Sequence, residues 1–133
     1  MGLCPPDTRL KACAVDEEIG EGAMIEVGDL TLRTIETPGH ARGHISFLMK
    51  RDNQNVFFGG DLVFFSGKIL LQNIPECDLQ AQIASLVKLR ESQIDVFLPG
   101  HLTFSLRNGQ RHIDAALKII DGLLVPPNFT YGW

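Results

Sequence analysis

The sequence contains no run of eighteen apolar residues, so no helix long enough to cross a membrane is expected. Cysteine is scarce. Cys4, Cys13 and Cys77 are odd in number and match no zinc or redox spacing, so reduced thiols in a cytoplasmic protein are expected. Clusters of cations are missing as well: the 12 Lys and Arg are scattered, against 16 Asp and Glu, for a formal net charge of −4. Phosphate backbones are bound by clustered cations, so nucleic acid is not an expected partner. The opening Met1-Gly2-Leu3-Cys4-Pro5-Pro6 has neither a charged n-region nor a long apolar core, and a signal peptide is not expected. Pro6 stands where a myristoylation motif carries Ser or Thr. No Gly-x-Ser-x-Gly, P-loop or dinucleotide fingerprint occurs, which weighs against serine hydrolase, nucleoside triphosphatase and dehydrogenase chemistry.

What remains reads as one domain over residues 1–133, long enough to bury a real core. Residues 1–18 show no period and carry Pro5, Pro6, Asp16, Glu17 and Glu18, a pattern of irregular or edge structure. Ala23–Val27 and Leu30–Ile35 flank Gly28-Asp29, a hairpin signal. His44–Met49 reads as a strand, and Asn53 and Asn55 as the turn before Val56-Phe57-Phe58. Leu62–Phe65 and Ile69–Leu71, split by Ser66-Gly67-Lys68, read as a loop or short strand. Asp78 is a good N-cap, and Leu79, Ile83, Leu86, Val87 and Arg90 fall on one helical face behind it. Ile94–Leu98 has the composition of a buried strand. A second helix is expected from near Asn108, with the stripe Ile113, Ala116, Leu117 and Ile120 and with Gly122 to end it. The order of five or six strands, helix, strand, helix predicts an α+β fold: a mixed sheet with helices on one face.

Three times an apolar run ends in glycine followed by a group able to ligate a metal. Leu30–Ile35 leads into Thr37-Pro38-Gly39-His40-Ala41-Arg42-Gly43-His44, Val56-Phe57-Phe58 into Gly59-Gly60-Asp61, and Val96-Phe97-Leu98 into Pro99-Gly100-His101. Pro38 and Gly39 stop the first strand from continuing, and Gly43 is read as permitting positive φ. Two imidazoles and a carboxylate suit zinc, with iron or manganese as further options. A single histidine after a turn is commonly a surface residue; the shared position at strand ends is what points to a site. His44 follows His40 by four residues, but Pro38, Gly39 and Gly43 disfavour a helix there. It is read as a residue that supports the turn by hydrogen bonding. His112 has polar neighbours and is read as lying on a solvated face.

The three motifs, in this order, resemble the later motifs of the metallo-β-lactamase superfamily, in the flavour of its glyoxalase II and lactonase-like branch. Asp29-Leu30-Thr31-Leu32 fits that branch's hairpin, and the resemblance covers roughly residues 16–125. It implies that His40 ligates one metal, that Asp61 bridges two and serves catalysis, and that His101 ligates the second. His44 matches a histidine that is not a direct ligand. The implied fold is part of an αββα sandwich and the implied activity is ester, thioester or lactone hydrolysis by metal-activated water. The implied cofactor is zinc, one or two ions, and the substrate a small molecule. The superfamily's His-x-His-x-Asp-His motif, carried on the N-terminal half, is absent. This implies a chain holding the C-terminal half alone, completed by an N-terminal half-domain or by a homo-oligomer, with a large apolar patch on its uncovered sheet face. A second reading is a non-catalytic interaction or dimerisation module on the same scaffold.

Overall fold

The computed structural model of the chain describes residues 8, 9 and 11–129. Five strands make one sheet in the order β1-β2-β3-β4-β5: β1 Met24–Val27, β2 Leu30–Glu36, β3 Ile45–Arg51, β4 Gln54–Gly60 and β5 Val96–Pro99. The first four are antiparallel neighbours, and β5 pairs parallel to β4. Helix α1, Leu79–Lys88, lies on the crossover between β4 and β5, and α2, Gln110–Asp121, follows β5. Among the described residues before Met24 there is no strand or helix, as their composition implies. Cys13 and Cys77 are free thiols; Cys4 lies outside the described residues.

The turns follow local chemistry. Gly28-Asp29 joins β1 to β2. Between β3 and β4 both central residues, Asp52 and Asn53, are left-handed, at φ 49° and 61°, a conformation that short polar side chains tolerate. Asn55 is not in that turn; it lies in β4 opposite Lys50. Among the described residues four strands precede α1, not the expected five or six. The β4–β5 register shifts between Phe58 and Gly60, and the Leu62 N–H donates to the Gly59 carbonyl, so the chain turns away from the sheet. Leu62, Val63 and Phe64 are fully buried all the same. Phe65–Gly67 is a single 3-10 turn, and Ile69 makes only an isolated parallel bridge to Asn128.

One sheet face carries Ile35, Leu48, Phe57 and Phe97, which pack with Leu86, Leu89, Ile113, Ala116 and Leu117 of and around the helices. Each such Leu, Ile or Phe contributes about 1.5–3 kcal/mol of burial. The stripe expected on α2 is the buried one. That of α1 is rotated: Gln82, Ser85, Leu86 and Leu89 are buried, whereas Val87 is 44% exposed. Arg90 turns outward into a two-pronged pair with Asp121 at 2.8 and 3.0 Å. The polar Gln82 and Ser85 are drawn inward because they meet backbone carbonyls there. The opposite sheet face bears the row Leu32, Met49, Val56 and Val96 across four strands. Met49 and Val96 are buried and Leu32 and Val56 half-buried, so the row shields itself more than a bare apolar patch would.

Two antiparallel pairings in succession make β2 parallel to β4, and β5 is parallel to β4 as well. The C-terminal ends of β2, β4 and β5 and the start of β3 therefore share one edge of the sheet.

Candidate metal centre

That edge brings His40, Asp61 and His101 together. Asp61 Oδ2 lies 3.6 Å from His40 Nε2 and 3.4 Å from His101 Nε2. The His40 and Asp61 side chains are largely covered, 19% and 23% exposed, and His101 is open at 60%. Donor atoms sharing a tetrahedral zinc ion at ~2.0–2.1 Å lie about 3.3 Å apart, so each Asp61–imidazole spacing fits a shared ion. Among the described residues, however, no group of three or more His, Cys, Asp or Glu converges to hold a metal ion. The geometry is that of one carboxylate oxygen approached by two imidazoles.

The tautomer of His40 bears on the chemistry. Its Nδ1 lies 3.1 Å from the Leu70 carbonyl oxygen, which only accepts, so Nδ1 carries the proton and donates. In the neutral ring Nε2 then presents a bare lone pair toward the Asp61 carboxylate. A lone pair facing a carboxylate is favourable only with a proton or a cation between them. An imidazole oriented by a carbonyl is the usual state of a metal-ligating histidine. The donor set therefore fits zinc as part of a site.

His44 hydrogen-bonds to both loops, whereas the sequence suggests support of its own turn alone. Its Nε2 accepts the Asp61 backbone N–H at 2.9 Å, so Nδ1 bears the proton and faces the Thr37 carbonyl at 3.1 Å and its hydroxyl at 2.9 Å. Thr37 in turn meets Ser46 at 2.9 Å, and Ser46 donates to the Gly59 carbonyl. Burial, together with the nearby His40, pushes the His44 pKa below its ordinary value, against the opposing pull of Thr37 and Asp61. That shift favours the neutral ring, the form this pattern of one donor and one acceptor needs. Gly60 leaves room for it: a Cβ there would lie 2.6 Å from His44 Nε2.

Helix α1 fastens the His40 turn. The Ser85 hydroxyl donates to the Pro38 carbonyl at 2.7 Å, and the Asp78 N–H donates to the Gly39 carbonyl at 2.8 Å. The Cys77 thiol donates to the His40 carbonyl at 3.1 Å. Gly39, at φ 147°, lies against the helix so closely that a Cβ would sit 2.5 Å from Gln82 Cα. The glycine freedom expected at Gly43 is not used: that residue has no positive φ and open space around it. Nothing in the sequence marks Thr37, Ser46, Gln82, Ser85 or Cys77 individually as part of the site. Thr37 stands inside the first motif; the rest declare themselves only by packing. Shallow concavities of about 210 and 220 Å³ flank the turn, both lined by Pro38 and Arg42 and neither by His40, Asp61 or His101.

His112 is not solvated. It is 2% exposed, its Nδ1 accepts the Ser66 N–H at 3.0 Å and its Nε2 meets the Ser105 hydroxyl at 2.8 Å. Phe65 and Phe97 flank it at 4.5 and 4.7 Å between ring centroids. With Nδ1 accepting, Nε2 carries the proton and donates to Ser105. That is the wrong direction for activating a nucleophile, so this Ser–His pair is structural. The residue looks solvent-facing in sequence because its neighbours Arg111 and Asp114 are polar; the helix turns it inward.

Comparison with known proteins agrees with this architecture. Residues 10–101 match the sequence profile of the Metallo-beta-lactamase superfamily, and the chain belongs to that superfamily. A hydroxyacylglutathione hydrolase of Nitrobacter winogradskyi is 32% identical over 126 residues, covering 95% of this chain and 44% of that protein. Among solved structures, an archaeal metallo-beta-lactamase superfamily protein from Sulfolobus tokodaii superposes with a TM-score of 0.57 at 27% identity, over 77% of this chain and 38% of its own. A metallo-beta-lactamase from Pontibacter korlensis superposes with a TM-score of 0.60 at 19% identity, covering 80% and 48%, and shows the shared fold. The chain spans less than half the length of these relatives. The glyoxalase II flavour of the motifs and the partial sandwich are both borne out. No helix among the described residues is long and apolar enough to cross a membrane.

Proposed function

We propose that the chain contributes part of the metal centre of a hydrolase that cleaves a thioester, ester or lactone. The observation that carries this reading is that Asp61 Oδ2 lies within 3.4 and 3.6 Å of the His101 and His40 imidazoles, with His40 Nδ1 against the Leu70 carbonyl and Nε2 turned toward Asp61. His40 would hold one zinc ion, His101 a second, and Asp61 would bridge them; iron or manganese suits the same donors. Bound metal supplies water of lowered pKa and polarises an acyl carbonyl. The chain's own part is to hold the Asp61 carboxylate beside the two imidazoles and, through the Leu70 carbonyl, to orient His40 with Nε2 toward it. Through His44 it also fixes the distance between the loops that carry them. The name of the Nitrobacter relative points to an acylated glutathione, a thioester, as the substrate class.

The remaining ligands and the walls of a substrate cleft come from outside this chain's described residues, from a half-domain preceding it or from a second copy. The absence of a converging three-donor group among the described residues favours the second reading, a non-catalytic module. The two are separated by assaying hydrolysis of a hydroxyacylglutathione by the complete zinc-loaded protein containing this sequence. His40→Ala and Asp61→Asn should each lower kcat/KM by at least a hundredfold, the order seen when a transition-state contact is lost. Unchanged turnover in both variants sinks the assignment of His40 and Asp61, and a zinc-loaded wild type that hydrolyses no thioester, ester or lactone sinks the hydrolase reading.

A further inference from the structure

We propose that Gln82 is a second positioning residue that, alongside His44, sets the separation of the His40 and Asp61 loops, a role that rests on the reading of those two side chains as metal ligands. Gln82 is fully buried on the inner face of α1. Its Nε2 donates to the carbonyl of Leu62, next to Asp61. Its backbone is the surface against which Gly39, next to His40, is packed, with 2.5 Å between Gln82 Cα and the place a Gly39 Cβ would occupy. One residue thus touches both loops, each one position from a proposed ligand. By contrast Ser85, Asp78 and Cys77 reach only the Pro38–His40 side.

Stability does not account for the amide. Gln82 Oε1 is buried without a hydrogen-bond partner among the described residues, and a half-satisfied buried amide is worse for stability than an apolar side chain of the same volume. Methionine at this position would fill the space and remove the orphan acceptor, at the loss of the tie to Leu62. What the amide adds is a directed bond from the helix that clamps the His40 turn to the loop that carries Asp61.

The test uses the full chain with Gln82→Met, a volume-conserving change, and Gln82→Leu as a second variant. Cobalt(II) serves as the spectroscopic probe of the site. Gln82→Met should weaken cobalt binding about ten- to hundredfold, as loss of a ligand-orienting contact does, while the melting temperature stays within a few degrees. In the metal-free chain, amide NMR signals of both Gly39-His40 and Asp61-Leu62 should shift and broaden, whereas Ser85→Ala should disturb only the first pair. Retained cobalt affinity, or a response of one loop alone, overturns the positioning role. A wild-type chain that binds no cobalt overturns the metal reading instead, and the two-loop NMR response then decides the role of Gln82 by itself.

Discussion

Alanine at Gly39 and alanine at Gly43 should have opposite consequences, although both glycines flank the same histidine turn. At Gly39 the backbone is at φ 147°, and an added Cβ would lie 2.5 Å from Gln82 Cα and 2.7 Å from Gln82 Cβ. The backbone strain costs about 1–3 kcal/mol. Forcing the turn off the helix adds roughly 1–3 kcal/mol, the ordinary price of overpacking. Taken together, about 2–6 kcal/mol is lost. At about 2.1 cal/mol/K of unfolding entropy per residue, 133 residues convert each kcal/mol into about 3–4 °C, so Gly39→Ala should lower the melting temperature by about 7–20 °C. At Gly43 nothing lies within 4 Å of an added Cβ and φ is not positive, so alanine only stiffens the unfolded chain and should stabilise by about 0.4–1 kcal/mol. Thermal unfolding followed by circular dichroism, both variants in one buffer, measures this directly. A Gly39→Ala protein melting within about 2 °C of wild type, or two variants that move together, would refute the close-approach argument.

Thr37→Val keeps the shape but removes the hydroxyl that meets His44 and Ser46 in a fully buried position; urea unfolding should show a loss of about 1–3 kcal/mol. Asp78→Ala removes the cap that accepts the Gln80 and Ala81 N–H groups at 2.8 and 3.0 Å and should cost about 1 kcal/mol, read from the same urea midpoint. His112 has its pKa lowered by burial and then by the neighbouring Arg111. As pH falls below about 6.5 the unfolded chain takes up this proton before the folded one does, so the stability contributed by a neutral His112 is present above that pH and fades below it. Wild-type stability should fall between about pH 7 and about pH 5.5 more steeply than that of His112→Gln; equal slopes would place the pH dependence elsewhere.

Much of the scaffold was legible because it is local. The apolar run Leu30–Ile35, the Gly28-Asp29 turn and the 3.6-residue stripe of α2 are patterns that short-range sterics and burial enforce wherever the chain meets a core. The rotation of α1 was not legible, because Gln82 and Ser85 look polar in isolation. Only the carbonyls of Pro38 and Leu62, brought in from elsewhere in the chain, make them inner residues. His112 hid for the same reason: its partners Ser66 and Ser105 lie 46 and 7 residues away.

The candidate site divides along the same line. The chemical identities of His40, Asp61 and His101, each after a glycine that ends an apolar run, are properties of the sequence. They need no tertiary structure to suggest a metal, since side-chain donor chemistry is intrinsic. That the three meet depends on strand direction. Two antiparallel pairings and one parallel one carry the ends of β2, β4 and β5 to a single edge, and long-range pairing of that kind is decided by the packed whole. The tertiary structure alone also decided which glycine is indispensable and which nitrogen of His40 is free. Both depend on what stands opposite, an α1 backbone in the first case and the Leu70 carbonyl in the second.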